Sequence, residues 1–214
     1  MNIVEKEISF KITNTYSTLN KLTEKTENIW IVCHGLGYLS RYFIKHFEVL
    51  DADKNYIIAP QASSKYYQGK NFRRVGASWL TKENTPKEIE NVLRNLDAIL
   101  ETENIPENKN LIILGFSQGV SVSTRWVASR KIKCDALVIF SGGIPNELNN
   151  EDFKFLVENK TKVYHFVGND DEYLNEERKQ GELKKINLLF GNNAVIETFE
   201  GTHELKKEML LKIT

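Results

Sequence analysis

Residues 115–119 read GFSQG, a serine between two glycines that follows the apolar run 111–116. A G-x-S-x-G pentapeptide between a strand and a helix is the mark of a nucleophile elbow, whose sharp turn lifts Oγ clear of the sheet. Glycine two residues to either side leaves room for the neighbouring strand and helix. The helix start also presents free N–H groups and the positive end of its dipole to negative charge forming beside the serine. A capping serine in a tight connection would look the same over five residues, so Ser117 must be judged by its partners.

A neutral hydroxyl is a weak nucleophile until a base takes its proton and an acid orients that base. Of the four histidines, only His165 and His203 follow the serine. His165 stands inside the apolar run KVYHFVG (162–168), where a packed side chain is expected. His203 falls in FEGTHELKKE, a loop between the last predicted strand and the last predicted helix. For the acid, GNDDEYL (168–174) offers Asp170, Asp171 and Glu172 just beyond a predicted strand. The order serine, acid, histidine, each after its own strand, is that of α/β-hydrolases. A tetrahedral intermediate also needs N–H donors for its oxyanion, one from the residue after the nucleophile and one from an earlier loop. Gln118 provides the first, and CHGLG (33–37) offers Leu36 or Gly35 for the second.

These residues need a frame that brings distant loops to one edge. Continuously apolar, β-branched runs at 29–34, 56–60, 111–116, 136–141, 162–168 and 194–199 predict strands covered on both faces. Between them lie stretches at helical spacing. The clearest starts with Thr85 as cap and Pro86 at the first helical position, with apolar residues at 89, 92, 93, 96, 99 and 100. Weaker helical patterns occupy 120–131, 150–159, 176–190 and 203–213. Alternating strands and helices imply a mostly parallel sheet with helices on both faces, which binds ligands beyond the carboxyl ends of its strands. Residues 5–13 and 15–20 instead alternate with period two, predicting an antiparallel edge hairpin.

HGLG, GFSQG, GNDDEYL and GTHEL, in this order, resemble the phospholipase/carboxylesterase family of small α/β-hydrolases, which includes acyl-protein thioesterases and bacterial carboxylesterases. The resemblance runs from residue 29 to the end of the sequence and is carried most specifically by GFSQG after an aliphatic strand. It implies a three-layer α/β-hydrolase fold, Ser117 as nucleophile and His203 as general base. It also selects Asp171, third after Gly168, as the acid, with the Leu36 and Gln118 N–H groups for the oxyanion. The implied reaction is hydrolysis of carboxylic esters through an acyl-enzyme, with thioester or lysophospholipid cleavage as the alternative. A hydrolase-fold protein that binds a small ligand without turning it over is the reading from another class. Tyr38 where the family often has an acid, and EYLNEE where it often has Val-Pro, leave the substrate open.

The stretch 61–80 is long and aromatic, and loops of such length at strand ends line or cover pockets. Tyr38, Tyr66, Phe72 and Trp79 are therefore candidate apolar walls, with Arg73 placed to receive an anionic substrate group.

With 214 residues the chain suits one domain spanning 1–214. Lys plus Arg equals Asp plus Glu at 29 each, a balance that argues against a nucleic-acid partner. The opening residues carry acids without a long apolar core, and no window reaches the apolar length of a membrane span, so a cytoplasmic chain without membrane insertion is expected. Cys33 and Cys134 sit in or beside Val/Ile-rich segments and read as buried hydrophobes rather than metal ligands. No metal or cofactor is expected; a small-molecule ester or thioester is the expected partner, and a homodimer stays open.

Overall fold

The structure is a computed structural model that describes residues 1–213. The sheet starts with β1 (Tyr16–Leu19) and β2 (Asn28–Cys33), after which the chain turns through α1 (Ser40–Phe43) and a 3₁₀ stretch over Ile44–Val49. β3 (Asn55–Pro60) leads into a hairpin of β4 (Ser64–Gln68) and β5 (Arg74–Ser78) and then into the long α2 (Thr85–Glu103). Three strand–helix units follow: β6 (Asn110–Phe116) with α3 (Gln118–Arg130), β7 (Ala136–Phe140) with α4 (Asn150–Glu158), and β8 (Lys162–Gly168) with α5 (Glu176–Phe190). β9 (Ala194–Phe199) and α6 (Lys207–Leu210) come last.

Seven strands form one sheet in the order β1-β3-β2-β6-β7-β8-β9, parallel throughout except for β1, which runs antiparallel to β3. Every residue of β2, β3 and β7 is buried, which is why these strands read as unbroken apolar runs rather than alternating ones. Successive side chains enter different layers. Ile29 and Ile31 pack with Leu93 and Leu96 of α2 and Trp126 of α3, while Trp30 and Val32 pack with Phe43, Phe47 and Leu210 on the other face. Each such side chain stabilises the fold by about 1.5–3 kcal/mol on burial. The result is the three-layer arrangement of an α/β-hydrolase, with β6 near the centre of the sheet.

Four local expectations are revised. Residues 5–13 alternate but form no strand, and only 16–19 join the sheet. Alternation prescribes faces and not a neighbour. The hairpin turn is pre-empted because Asn14 Nδ2 donates to Gln61 O (2.7 Å), tying that point to the carboxyl end of β3. The stretch 61–80 contains the two-stranded β4–β5 hairpin, with Tyr66 opposite Gly76, instead of a structureless loop. Asn84 rather than Thr85 is the residue before α2, in a left-handed conformation, and Thr85 starts the helix. In 203–213 only Lys207–Leu210 is α-helical.

Cys33 and Cys134 are buried free thiols, and burial pushes each up to about 12. No helix of the described residues is long and apolar enough to cross a membrane.

Candidate active site

Ser117 joins β6 to α3 with φ 53° and ψ −118°, a conformation that costs a non-glycine residue about 1–3 kcal/mol. Its neighbours hold it there. The Ser117 N–H donates to Phe140 O at the end of β7 (2.9 Å). A Cβ on Gly115 would lie 2.5 Å from Val120 Cα, and one on Gly119 would lie 2.1 Å from Cys33 O. Both flanking glycines are therefore demanded by backbone packed against backbone, one from α3 and one from β2.

The loops after β8 and β9 meet this elbow. His203 Nε2 lies 2.8 Å from Ser117 Oγ, and His203 Nδ1 lies 2.8 Å from Asp171 Oδ2. An ionised carboxylate only accepts, so Nδ1 carries the proton, and Nε2 is left to accept the serine O–H. Asp171 is buried, and its Oδ1 accepts the N–H groups of Tyr173 (2.9 Å) and Leu174 (3.1 Å), which lock the carboxylate plane. The three candidate acids are thus separated by geometry. Asp170 is exposed and its backbone N–H bonds Gly201 O (3.0 Å), while Glu172 accepts the His203 backbone N–H (3.2 Å). Gly168, three residues before Asp171, allows the two loops to touch: a Cβ there would lie 2.4 Å from both Gly201 O and Thr202 O. The imidazole is packed by Tyr173 and Phe116, with ring centroids 4.7 and 5.3 Å away.

The loop after β2 lies against the serine, since a Cβ on Gly35 would be 3.2 Å from Ser117 Cβ. Among the described residues, neither the Leu36 nor the Gln118 backbone N–H is bonded within the chain, whereas Gly37 N–H reaches Ala77 O (2.8 Å) and Tyr38 N–H reaches Gly35 O (3.3 Å). These two unbonded N–H groups are the candidates to meet an incoming negative oxygen.

Sequence reasoning passed over the residues that hold this loop. His34 is fully buried; Nδ1–H donates to Gly35 O (2.8 Å), and Nε2 accepts Ala62 N–H (3.2 Å). Burial lowers its pKa to about 4, outweighing the opposing effect of the Gly35 carbonyl, so the ring stays neutral in the tautomer that both bonds require. The Gln118 side chain accepts Trp79 N–H (2.9 Å) and donates to Leu80 O (2.8 Å), clamping the β5–α2 connection onto the elbow. Polar residues at the inner ends of buried strands are the signal that would have found both.

The expected substrate wall is partly revised. Tyr38 is half-buried, edge-on to Phe43 and Phe116, and Tyr66 on β4 approaches Gly37 with its hydroxyl. Phe72 and Arg73 are exposed at the hairpin tip, where the Phe72 ring packs on Tyr67 (5.4 Å). Trp79 is not a wall. It is 1% exposed, its ring lies 4.8 Å from His34 and its Nε1–H donates to His34 O (2.7 Å), so it supports the loop after β2. Among the described residues no group of three or more His, Cys, Asp or Glu side chains is arranged to hold a metal.

Comparison with solved structures agrees with this layout. Acyl-protein thioesterase 2 of Zea mays superposes with a TM-score of 0.71 at 14% identity, covering 94% of this chain and 96% of its own. A phospholipase/carboxylesterase of Dyadobacter fermentans gives 0.65 at 21% identity, covering 96% and 98%. The esterase PE8 gives 0.68 at 18%, covering 95% and 100%. At these identities the likeness is one of fold. Comparison with curated proteins returns no match. The phospholipase/carboxylesterase family model matches residues 14–214, almost the whole sequence. With a serine elbow, a histidine and a carboxylate in contact at one edge of a hydrolase sheet, and that match along the chain, the protein belongs to the phospholipase/carboxylesterase family of esterase-type hydrolases.

Proposed function

We propose that this protein hydrolyses carboxylic esters of small to medium acyl groups through an acyl-enzyme on Ser117. The observation that carries the reading is the unbroken chain of contacts from Asp171 through His203 to Ser117, each 2.8 Å long. His203 Nε2 takes the hydroxyl proton as Oγ attacks the ester carbonyl, and the resulting imidazolium is stabilised by the Asp171 carboxylate. The carbonyl oxygen becomes an oxyanion that receives the Leu36 and Gln118 N–H groups. Collapse of this intermediate expels the alcohol, which leaves with the proton from Nε2. Water then repeats the sequence on the acyl group, His203 acting first as base and then as acid, to release the carboxylic acid and restore the serine.

Tyr38 beside Phe116 supplies an apolar rim for the acyl part, with Tyr66 above it. Cleavage of thioesters is the second reading, favoured by the likeness to a plant acyl-protein thioesterase, because the same serine and oxyanion donors serve a thiolate leaving group. Ser117→Ala is expected to abolish turnover of short p-nitrophenyl esters and labelling by a fluorophosphonate while the melting temperature is kept. Retained turnover in that variant removes the assignment. Rates on matched oxygen esters, thioesters and lysophospholipids rank the substrate classes.

A further inference from the structure

Leu36 lies between Gly35 and Gly37, and a backbone of this kind rotates at little steric cost. The direction of its N–H must therefore be held by hydrogen bonds. Gly35 O and the Leu36 N–H belong to one planar peptide unit, so the His34 Nδ1–H that reaches Gly35 O (2.8 Å) also sets where the Leu36 N–H points. The next unit is held from the other side, where the Gly37 N–H reaches Ala77 O on β5 (2.8 Å). The third is held by a side chain: Gln68, the last residue of β4, donates from Nε2 to Gly37 O (3.0 Å).

Two of these three holds come from the β4–β5 hairpin, which forms a sheet of its own apart from the seven-stranded one. A two-stranded ribbon is marginal alone in water, so its place depends on what it touches. Here it meets the loop after β2 backbone to backbone. A Cβ on Gly76 would lie 2.7 Å from Gly37 O and 2.8 Å from Gly37 Cα, and only 2.5 Å from Gln68 Nε2. The Gln68 amide is thus packed between its own hairpin and Gly37.

We propose that Gln68 is a positioning residue: by fixing Gly37 it holds the hairpin on the loop after β2 and keeps the Leu36 N–H turned toward Ser117. The role rests on the reading of Leu36 as an oxyanion donor. Such donors act chiefly on the transition state, so a misdirected Leu36 N–H lowers kcat and leaves KM in place. Loss of packing alone would lower the melting temperature instead.

Gln68→Leu removes the donor at similar volume, and steady-state kinetics on p-nitrophenyl acetate with the full chain read the effect. A fall in kcat of about tenfold is expected, with KM and the melting temperature parental. Gly76→Ala, which forces a methyl against Gln68 and Gly37, should give the same signature. Arg74→Ala is the control, since Arg74 is exposed and pairs with Gln68 across the hairpin; it should keep parental kcat. Amide hydrogen exchange gives an answer independent of turnover, because Gln68→Leu should speed exchange of the Gly37 N–H by about tenfold. A parental kcat in Gln68→Leu, a rise in KM alone, an equal loss in Arg74→Ala, or unchanged protection of the Gly37 N–H overturns the proposal. If the parent turns over no ester, the reading of Ser117 falls, and the exchange result still decides whether Gln68 holds the loop.

Discussion

Asp171→Asn changes one atom and, by the geometry of the site, reverses one hydrogen bond. In the parent, Asp171 Oδ1 is held by the N–H groups of Tyr173 (2.9 Å) and Leu174 (3.1 Å), and Oδ2 faces His203 Nδ1 (2.8 Å). Those two backbone donors will retain the amide oxygen of an asparagine, so its NH₂ must face the imidazole. Nδ1 then becomes an acceptor, the ring proton moves to Nε2, and Nε2–H points at Ser117 Oγ 2.8 Å away. The serine loses its base without any loss of packing volume. A tautomer reversed in this way, together with the lost stabilisation of the imidazolium, costs about 10⁴-fold in kcat, or about 5 kcal/mol of transition-state stabilisation. Initial rates on p-nitrophenyl acetate at saturating substrate measure the loss, and thermal melting checks that the fold persists. Asp170→Asn is the control, since Asp170 is exposed and engages Gly201 only through its backbone; it should keep near-parental activity. An Asp171→Asn enzyme within about tenfold of the parent, or an equal loss for Asp170→Asn, refutes the reasoning.

Two further outcomes follow from burial. His34 and His165 are kept neutral, their pKa values lowered by desolvation from 6.5 to about 4. Because the folded values are lower, the unfolded chain binds more protons below pH 6.5; the stability is intact above that value and is lost as pH falls toward 4. By about pH 5 each histidine should cost about 2 kcal/mol, visible in urea midpoints taken near pH 7 and pH 5. His165 has no partner for either ring nitrogen among the described residues, so His165→Leu should remove about half of this pH dependence, and an unchanged slope contradicts the account. Gly119→Ala forces a methyl to 2.1 Å from Cys33 O, where backbone meets backbone. It should lower stability by about 3 kcal/mol and the melting temperature by roughly 10 °C, and a parental melt speaks against a rigid elbow.

The residues that meet at this candidate site were more legible in the sequence than their surroundings, for physical reasons. Buried parallel strands must be apolar throughout, so β2, β3, β6, β7 and β8 announce themselves, and with them the loops where Ser117, Asp171 and His203 lie. Gly115 and Gly119 were readable because no other residue fits between α3 and β2. The β4–β5 hairpin escaped notice because β4 is exposed along nearly its whole length, which erases the alternation that marks a half-buried strand. Residues 5–13 misled in the opposite sense, with strong alternation but no partner strand in the chain. Trp79 was taken for a pocket wall on composition alone, and only its bond to His34 O and its burial reveal a supporting role. Nor could the side chain of Gln118 be placed, since its partners Trp79 and Leu80 lie 39 and 38 residues away along the chain.

The proposed nucleophile and the proposed base descend from very different parts of the sheet. Ser117 tops β6, flanked by β2 and β7, whereas His203 hangs from β9, an edge strand held on one side only by β8. In the proposed reaction, proton transfer would therefore depend on one edge of the sheet. On that reading, fraying at this edge would silence the reaction while the interior stayed folded, and the working life of the catalyst would be set by how firmly its border is fastened rather than by the depth of its core.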